Sequence, residues 1–105
     1  MMYLITLDNR SQNSVVREKI EAEIKQLGNW SNRLGDTWFL ECPTLGARQI
    51  RDLLRQHLDN GDAAKGRPFD RLFVARISRN WAGANMGQGF PEWIGRRDFG
   101  KFENG

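Results

Sequence analysis

Hydrophobic and polar residues follow one another along the chain in patterns that predict both strands and helices. The apolar run Tyr3–Leu7 includes β-branched residues and stops at a polar stretch, which is typical of a first strand. Residues 29–34 and 37–42 flank a Gly-Asp dipeptide suited to a two-residue reverse turn, so they predict a β-hairpin. A later apolar run, residues 71–78, predicts a fourth strand.

Two other stretches repeat apolar residues at the spacing of an amphipathic helix. The first begins after Asn13 or Ser14, either of which can cap it, and ends at Gly28. Its apolar positions are Val16, Ile20, Ile24 and Leu27. The second covers about residues 45–58 and has His57 within its apolar stripe, so we expect a partly buried histidine with a structural role.

The predicted elements follow the order strand, helix, strand, strand, helix, strand. This is the order of the ferredoxin-like split βαβ sandwich, an α+β fold with a four-stranded antiparallel sheet. Two helices cover one face of that sheet, and the other face is left for a partner or ligand. Residues 59–69 are rich in turn formers and charge, so they predict a surface loop before the last strand. We therefore expect one ferredoxin-like domain over residues 1–79.

Residues 80–105 differ in composition from the rest of the chain, because they are rich in glycine interleaved with aromatic residues. The aromatic side chains are Trp81, Phe90, Trp93, Phe99 and Phe102. Such a segment is too apolar for a purely disordered tail. We expect a C-terminal arm that packs either on the protein's own sheet or on a dimer partner, and that offers a surface to a protein partner.

Composition and charge narrow the function. A chain of 105 residues buries a modest share of its surface, so a dimer interface would add stability. The single cysteine, Cys42, and the lack of an apolar run of membrane-spanning length indicate a cytoplasmic protein with no membrane contact. The net charge is only +3, but residues 44–79 hold eight basic and four acidic side chains. This local excess of positive charge favours RNA or DNA as a partner.

Asp8 ends the first predicted strand and begins a polar loop. A carboxylate at the open end of a sheet can bind Mg²⁺, which takes one or two carboxylates together with waters and phosphate oxygens. The alternative is an aspartate that only turns the chain by bonding its own backbone. In a symmetric dimer, two Asp8 side chains in one cleft could share a metal ion.

Arginines form two further candidate sites. Arg48, Arg51 and Arg55 follow one side of the second predicted helix, where they could bind phosphates or simply form a solvated face. The arm adds Arg96 and Arg97 beside aromatic residues. That mixture can stack bases and pair with phosphates, or pack within a dimer.

Four sequence blocks together resemble a known family. They read MYLITLD, LGNWSNRLGDTWFLE, IRDLLRQHLD and RLFVARISRNWAG, and they cover about residues 2–83 in order. The chain resembles the SinR-like group of small ferredoxin-fold proteins, which is related to the CRISPR-associated Cas-two nucleases and to virulence-associated protein D. The resemblance implies a homodimer with sheet packed on sheet. It also implies that Asp8 is the metal ligand and that Arg10, shortly after it, belongs to the nucleic-acid-binding residues.

Two functions follow from the residues and the resemblance. One is a magnesium-dependent endonuclease that hydrolyses RNA or DNA, with Asp8 as its catalytic residue and Mg²⁺ as its cofactor. The alternative is a non-catalytic dimer that binds nucleic acid or a protein. An RNA-recognition domain shares the strand order, but residues 71–77 lack its aromatic RNP1 signature, so it ranks last.

Overall fold

The computed structural model describes residues 1–101 of the chain. These residues form an α+β structure with one four-stranded antiparallel sheet and three α-helices. The elements are β1 (Met2–Asp8), α1 (Ser14–Leu27), β2 (Asn29–Leu34), β3 (Thr37–Glu41), α2 (Ala47–Arg55), β4 (Arg71–Ile77) and α3 (Phe90–Gly95). None of these helices has both the length and the apolar character needed to cross a membrane.

The sheet has the strand order β2-β3-β1-β4, so β1 lies between β3 and β4. β1 is antiparallel to both neighbours: Met2 lies opposite Glu41 and Ile77, and Asp8 lies opposite Arg71. The prediction of an α+β protein with a four-stranded antiparallel sheet is confirmed. The arrangement is compatible with a ferredoxin-like fold.

One face of the sheet is covered by α1 and α2. Asn13 caps α1, since its side-chain oxygen accepts a hydrogen bond from the Val15 N–H at 3.2 Å. The core between helices and sheet consists of Tyr3, Ile5, Leu7, Val16, Ile20, Ile24, Trp38, Leu40, Cys42, Ile50 and Leu54. Full burial of a large apolar side chain is worth about 1.5–3 kcal/mol, so this layer is the main source of stability.

The second helix is shorter than its sequence pattern predicts. It covers Ala47–Arg55 instead of residues 45–58, and the chain then continues in turns. His57 therefore lies beyond the helix, where its Nε2 is 3.1 Å from Oε1 of Glu23 on α1. His57 therefore links the segment after α2 to α1, which is a structural contact.

The opposite face of the sheet is covered around Met2 by residues 80–101 of the same chain, which we call the strap. Phe90, Ile94 and Phe99 of the strap are only 1–2% exposed, and they pack with Met2 and Phe39 of the sheet. The strap is thus a second apolar layer on the sheet. The last four positions predicted for the arm, residues 102–105, lie outside the described residues.

The strap contains α3, a helix that the sequence pattern did not predict. It begins after Gly89, whose φ of +88° suits glycine, and Pro91 lies in its first turn. Phe90 and Ile94, four residues apart, form its buried side. The helix is therefore stabilised by its packing on the sheet, since one and a half turns are too short to be stable alone.

Polar contacts hold the end of the strap to β3. The Glu41 carboxylate accepts hydrogen bonds from the Asp98 N–H (2.5 Å) and the Asn29 side-chain amide (2.8 Å), and Arg97 Nη1 lies 3.6 Å away. Burial alone raises the pKa of Glu41, but these hydrogen bonds and the Arg97 charge outweigh burial and hold the pKa below its ordinary value. Glu41 is therefore an ionised anchor for the strap.

Arginines from the rest of the chain also donate to backbone carbonyl groups of the strap. The pairs are Arg33 to Gln88, Arg76 to Phe99 and to Lys101, and Arg79 to Arg97, at 2.8–3.2 Å. These guanidinium groups are engaged in holding the strap in place.

Candidate nucleic-acid interface

Asp8 lies on the sheet face opposite the helices, at the end of β1. Its side chain is exposed and lines an open groove of about 290 Å³ together with Thr6, Arg71, Leu72 and Phe73. Because Asp8 and Arg71 are directly opposite in the antiparallel register, a guanidinium group and a carboxylate share this groove. The groove therefore combines one acidic and one basic side chain with an aromatic ring.

Next to this groove, two arginines lie against one aromatic ring. The guanidinium carbons of Arg10 and Arg71 are 5.4 Å and 5.6 Å from the ring centre of Phe69. Phe69 is 51% exposed, so the ring is open to solvent although two cations contact it. We call these three residues the loop stack. It presents two guanidinium groups and an accessible aromatic surface at one place.

The loop stack is formed by two loops that are far apart in the chain. Arg10 belongs to the β1–α1 loop, while Phe69 and Arg71 come from the end of the α2–β4 loop and the start of β4. Asp70 joins the two loops: its Oδ1 accepts from the Ser11 N–H at 2.9 Å and its Oδ2 from the Asp59 N–H at 3.0 Å. Local hydrogen bonds therefore fix the loop positions from which the stack projects.

The arginines of α2 flank the same strand from the helix side. Arg48 and Arg51 line a groove of about 320 Å³ with Leu72, Phe73 and Val74, so Phe73 borders both grooves. The structure thus brings Arg48 and Arg51 to β4, while Arg55 lies outside the lining of this groove.

Asp52 reduces the positive charge along this row. Arg51 donates two hydrogen bonds to Asp52 Oδ1, at 3.0 Å and 2.7 Å, and Arg55 Nε lies 3.9 Å from the same atom. The Arg51 hydrogen bond, with the charges of Arg55 and Arg48, holds the pKa of Asp52 below its ordinary value. Arg48 is the member of the row that lies farthest toward the start of the helix, ahead of the Asp52 pairs.

The two arginines predicted in the arm have different surroundings. Arg97 lies over the ring of Trp93 at 5.0 Å and beside Glu41, with a side chain only 16% exposed. Arg96 follows α3 and is exposed. Arg97 therefore acts in the packing of the strap, and Arg96 is the one of the pair that faces solvent.

A metal site at Asp8 has a limited set of donors in one chain. Within residues 1–101, no group of three or more His, Cys, Asp or Glu side chains lies in a position to hold a metal ion. The exposed Asp8 carboxylate supplies a single protein ligand, which meets the lower end of what Mg²⁺ needs when waters and phosphate oxygens complete its shell. A second Asp8 from a partner would double the protein contribution.

The sequence pattern does not predict three of these site residues, Phe69, Arg71 and Phe73. The pattern places Phe69 in a charged loop and the other two in a strand, since the stack forms only where Arg10 from a different loop meets the Phe69 ring beside Arg71. A signal was present: Phe69 is a large apolar residue within a stretch of turn formers, where an exposed ring is otherwise unfavourable.

Comparison with known proteins gives no assignment. No family model, no curated protein and no solved structure matches the chain. The resemblance to the SinR-like group therefore depends on the four sequence blocks alone.

Proposed function

We propose that the protein binds nucleic acid through the loop stack and the adjoining β4 surface. The observation that carries this proposal is the half-exposed ring of Phe69 with the guanidinium groups of Arg10 and Arg71 against it. Arginine planes pair with phosphates through two donors, and exposed rings stack on bases. Both kinds of contact are available at one place.

Arg48 and Arg51 extend this surface. They lie on the helix side of β4, which is an edge strand, so a strand of nucleic acid that runs from the loop stack along this edge would meet them. Binding that depends on phosphates releases counterions, so affinity falls steeply as salt increases.

Fluorescence anisotropy with labelled RNA and DNA oligonucleotides, single-stranded and duplex, tests the proposal. We expect the wild-type protein to bind at low salt and to lose affinity between about 50 and 200 mM salt. Phe69→Leu and Arg71→Gln should each weaken binding about tenfold, since stacking or a bidentate phosphate contact is worth roughly 1–3 kcal/mol. Lack of binding to every oligonucleotide at low salt would refute the proposal and favour a protein partner.

Lys25→Gln is the matched control for Arg71→Gln. Lys25 also lies over an aromatic ring, that of Trp30 at 4.8 Å, but it does so on α1 and β2. The substitution removes the same charge from a similar cation–aromatic pair, so affinity should change by less than about twofold.

We further propose that the protein is a homodimer of ferredoxin-like subunits related to the SinR-like group. The part of the sheet beyond the strap carries a row of facing residues, Phe73, Thr6, Thr37 and Leu34, one from each strand. Phe73 is 62% exposed and Leu34 47% exposed, so apolar groups lie at both ends of the row. A two-fold axis through the central threonines would place Leu34 of one copy on Phe73 of the other.

Light scattering after size exclusion tests this dimer. Phe73→Asp and Leu34→Asp should each shift the protein to monomers, because each places a charge in the proposed interface. Val15→Asp changes an exposed apolar residue of α1 and should leave the mass unchanged. A monomeric wild-type protein would refute the dimer.

A second candidate function is phosphodiester hydrolysis with Mg²⁺ held by Asp8. It is favoured by the position of Asp8 in the same groove as Arg71, where a phosphate bound by the arginine would lie near the carboxylate. In the proposed dimer, Asp8 lies on the same face as the paired rows. When bound, Mg²⁺ would supply charge stabilisation and an activated water.

Incubation of labelled RNA and DNA with and without Mg²⁺ decides between binding and cleavage. A nuclease should cleave only with the metal, and Asp8→Asn, which keeps the side-chain shape, should abolish cleavage while binding persists. Cleavage that survives Asp8→Asn would refute the assignment of Asp8. We place either function in the cytoplasm, in keeping with Cys42 as a buried, free thiol.

A further inference from the structure

Asp70 is an acidic residue inside a basic surface. It lies between Phe69 and Arg71 in the sequence and is 6% exposed. A buried carboxylate is unfavourable unless hydrogen bonds stabilise it. The residue on each side of it belongs to the loop stack.

The carboxylate of Asp70 uses both oxygens to hold backbone groups. Oδ1 accepts from the Ser11 N–H at 2.9 Å, next to Arg10, and Oδ2 accepts from the Asp59 N–H at 3.0 Å. In return, the Asp70 N–H donates to the Asp59 carbonyl at 2.8 Å. One side chain thus fixes the β1–α1 loop and the first part of the α2–β4 loop relative to the start of β4.

Around this connection, a second layer of hydrogen bonds stiffens both loops. Asp59 accepts from the Gly61 N–H at 2.8 Å and from the Asn13 side-chain amide at 3.3 Å. The Gly61 hydrogen bond is the main reason that the pKa of Asp59 lies below its ordinary value. Asp59 therefore stays ionised and keeps its hydrogen bonds to Gly61 and Asn13, while Asp70 holds the Asp59 backbone N–H.

We propose that Asp70 is the positioning residue of the loop stack: it sets the distance of the Arg10 guanidinium from the Phe69 ring by holding the Ser11 backbone. This inference rests on the proposed function, because it assigns to Asp70 the geometry of the nucleic-acid-binding surface. Asp70 itself is buried, so it acts through the backbone of the two loops.

Replacement of Asp70 distinguishes a positioning role from a purely electrostatic one, because the two roles predict opposite changes in the affinity for nucleic acid. Asp70→Asn removes one negative charge beside Arg71, so electrostatics alone would tighten binding to an anion. It also turns one acceptor oxygen into a donor that faces an N–H, so one loop is released. If Asp70 positions the stack, affinity for the labelled oligonucleotide falls about tenfold, the loss expected when one charge-assisted hydrogen bond is broken.

Asp62→Asn is the matched control. Asp62 lies in the same α2–β4 loop and carries the same charge, but its carboxylate accepts from the Ala64 N–H and caps only a local turn. We expect affinity to stay equal or to rise by less than about twofold. Equal or tighter binding for Asp70→Asn as well would overturn the positioning role.

A measurement without nucleic acid keeps this inference distinct from the proposed function. In NMR spectra, the Phe69 ring should shift the side-chain protons of Arg10 and Arg71 upfield, and Phe69→Leu should remove both shifts. Asp70→Asn should reduce the Arg10 shift and leave that of Arg71. Unchanged Arg10 shifts would overturn the inference even if oligonucleotides bind; reduced shifts would support it even if none bind.

Hydrogen exchange on the wild-type protein provides a readout if Asp70→Asn does not fold. Because one carboxylate holds the Ser11 and Asp59 amides, their protection factors should agree within about tenfold. Protection of one amide without the other would contradict the joint role of Asp70.

Discussion

The protein has two clusters of arginine and aromatic residues, and they differ in what surrounds them. In the loop stack, Arg10 and Arg71 contact a ring that is half exposed. In the strap cluster, Arg79 lies over Phe99 at 4.6 Å and Arg97 lies over Trp93 at 5.0 Å. There, Arg79 donates to the Arg97 carbonyl at 2.9 Å, and Arg97 forms an ion pair with Glu41 while its side chain is only 16% exposed.

The comparison shows that composition alone does not identify a binding surface. Both clusters combine cations with rings, but the sequence pattern indicated only the one in the arm, either for nucleic acid or for packing within a dimer. Arginine donors that already have protein acceptors must give them up before they can bind phosphate. The arginines of the loop stack can therefore bind phosphate, while those of the strap cluster hold the strap on the sheet.

The largest expected effect concerns stability and tests the strap cluster. Phe90→Ala should lower the free energy of unfolding by about 3–5 kcal/mol, since it opens a cavity among Met2, Phe39 and Ile94. Urea denaturation measures this loss. Phe69→Ala is the counterpart in the loop stack, and its exposed ring should contribute less than about 1 kcal/mol. Similar losses of stability for Phe90→Ala and Phe69→Ala would contradict the proposed difference between the two clusters.

A smaller stability effect should follow from the anchor of the strap. Glu41→Gln keeps the shape but weakens the hydrogen bonds from Asp98 and Asn29 and the ion pair with Arg97, so we expect a loss of about 1.5–3 kcal/mol at neutral pH. Hydrogen exchange at the Asp98 amide should accelerate in this variant. Asp36→Asn, at a surface ion pair with Arg17, should cost less than about 1 kcal/mol.

The same anchor should make the strap sensitive to acid. Because the pKa of Glu41 is lower in the folded protein than its ordinary value of 4.5, its contribution is complete above that value and is lost as the pH falls through the folded pKa. Below pH 4.5, wild-type stability should approach that of Glu41→Gln. A constant difference between the two proteins from pH 7 to pH 3 would contradict this assignment.

The next effect concerns binding and tests the loop stack. Arg10→Gln should weaken oligonucleotide binding about tenfold and flatten its salt dependence, because one phosphate contact is lost. Its stability should change by less than about 0.5 kcal/mol, since Arg10 is exposed. Anisotropy titrations at several salt concentrations measure both the affinity and the slope.

The smallest effect is expected at Arg96. It is the exposed arginine of the strap, so Arg96→Gln should reduce binding by less than about twofold if the strap only closes the fold. A tenfold loss would instead show that the strap cluster belongs to the binding surface, and the contrast between the two clusters would fail.

The sequence predicted the regular elements closely where packing and local pattern agree. The sequence predicts β4 over residues 71–78, and the strand covers Arg71–Ile77. The two agree because its apolar and β-branched residues suit a strand that pairs with the buried strand β1. The second helix was overextended because His57 and Leu58 continue the apolar spacing after the helix has ended. α3 was missed because a short helix in a glycine-rich segment depends on the sheet beneath it.

The candidate site was predicted only where one residue carries its own signal. Asp8 stands out at the end of a strand, and the Arg48 row stands out by helical spacing. Phe69 and Asp70 do not, because their roles arise when two distant loops meet. Such pairings depend on tertiary structure, which a local pattern does not contain.

The position of the strap also affects the order in which the molecule can be completed. Met2 is made well before Phe90 and Phe99, which cover it. Until then, a growing chain exposes the apolar face of its central strand, and closing contacts across so long a sequence separation is slow. A nascent chain stalled before Phe90 should therefore depend on chaperones, whereas one released beyond Phe99 should not.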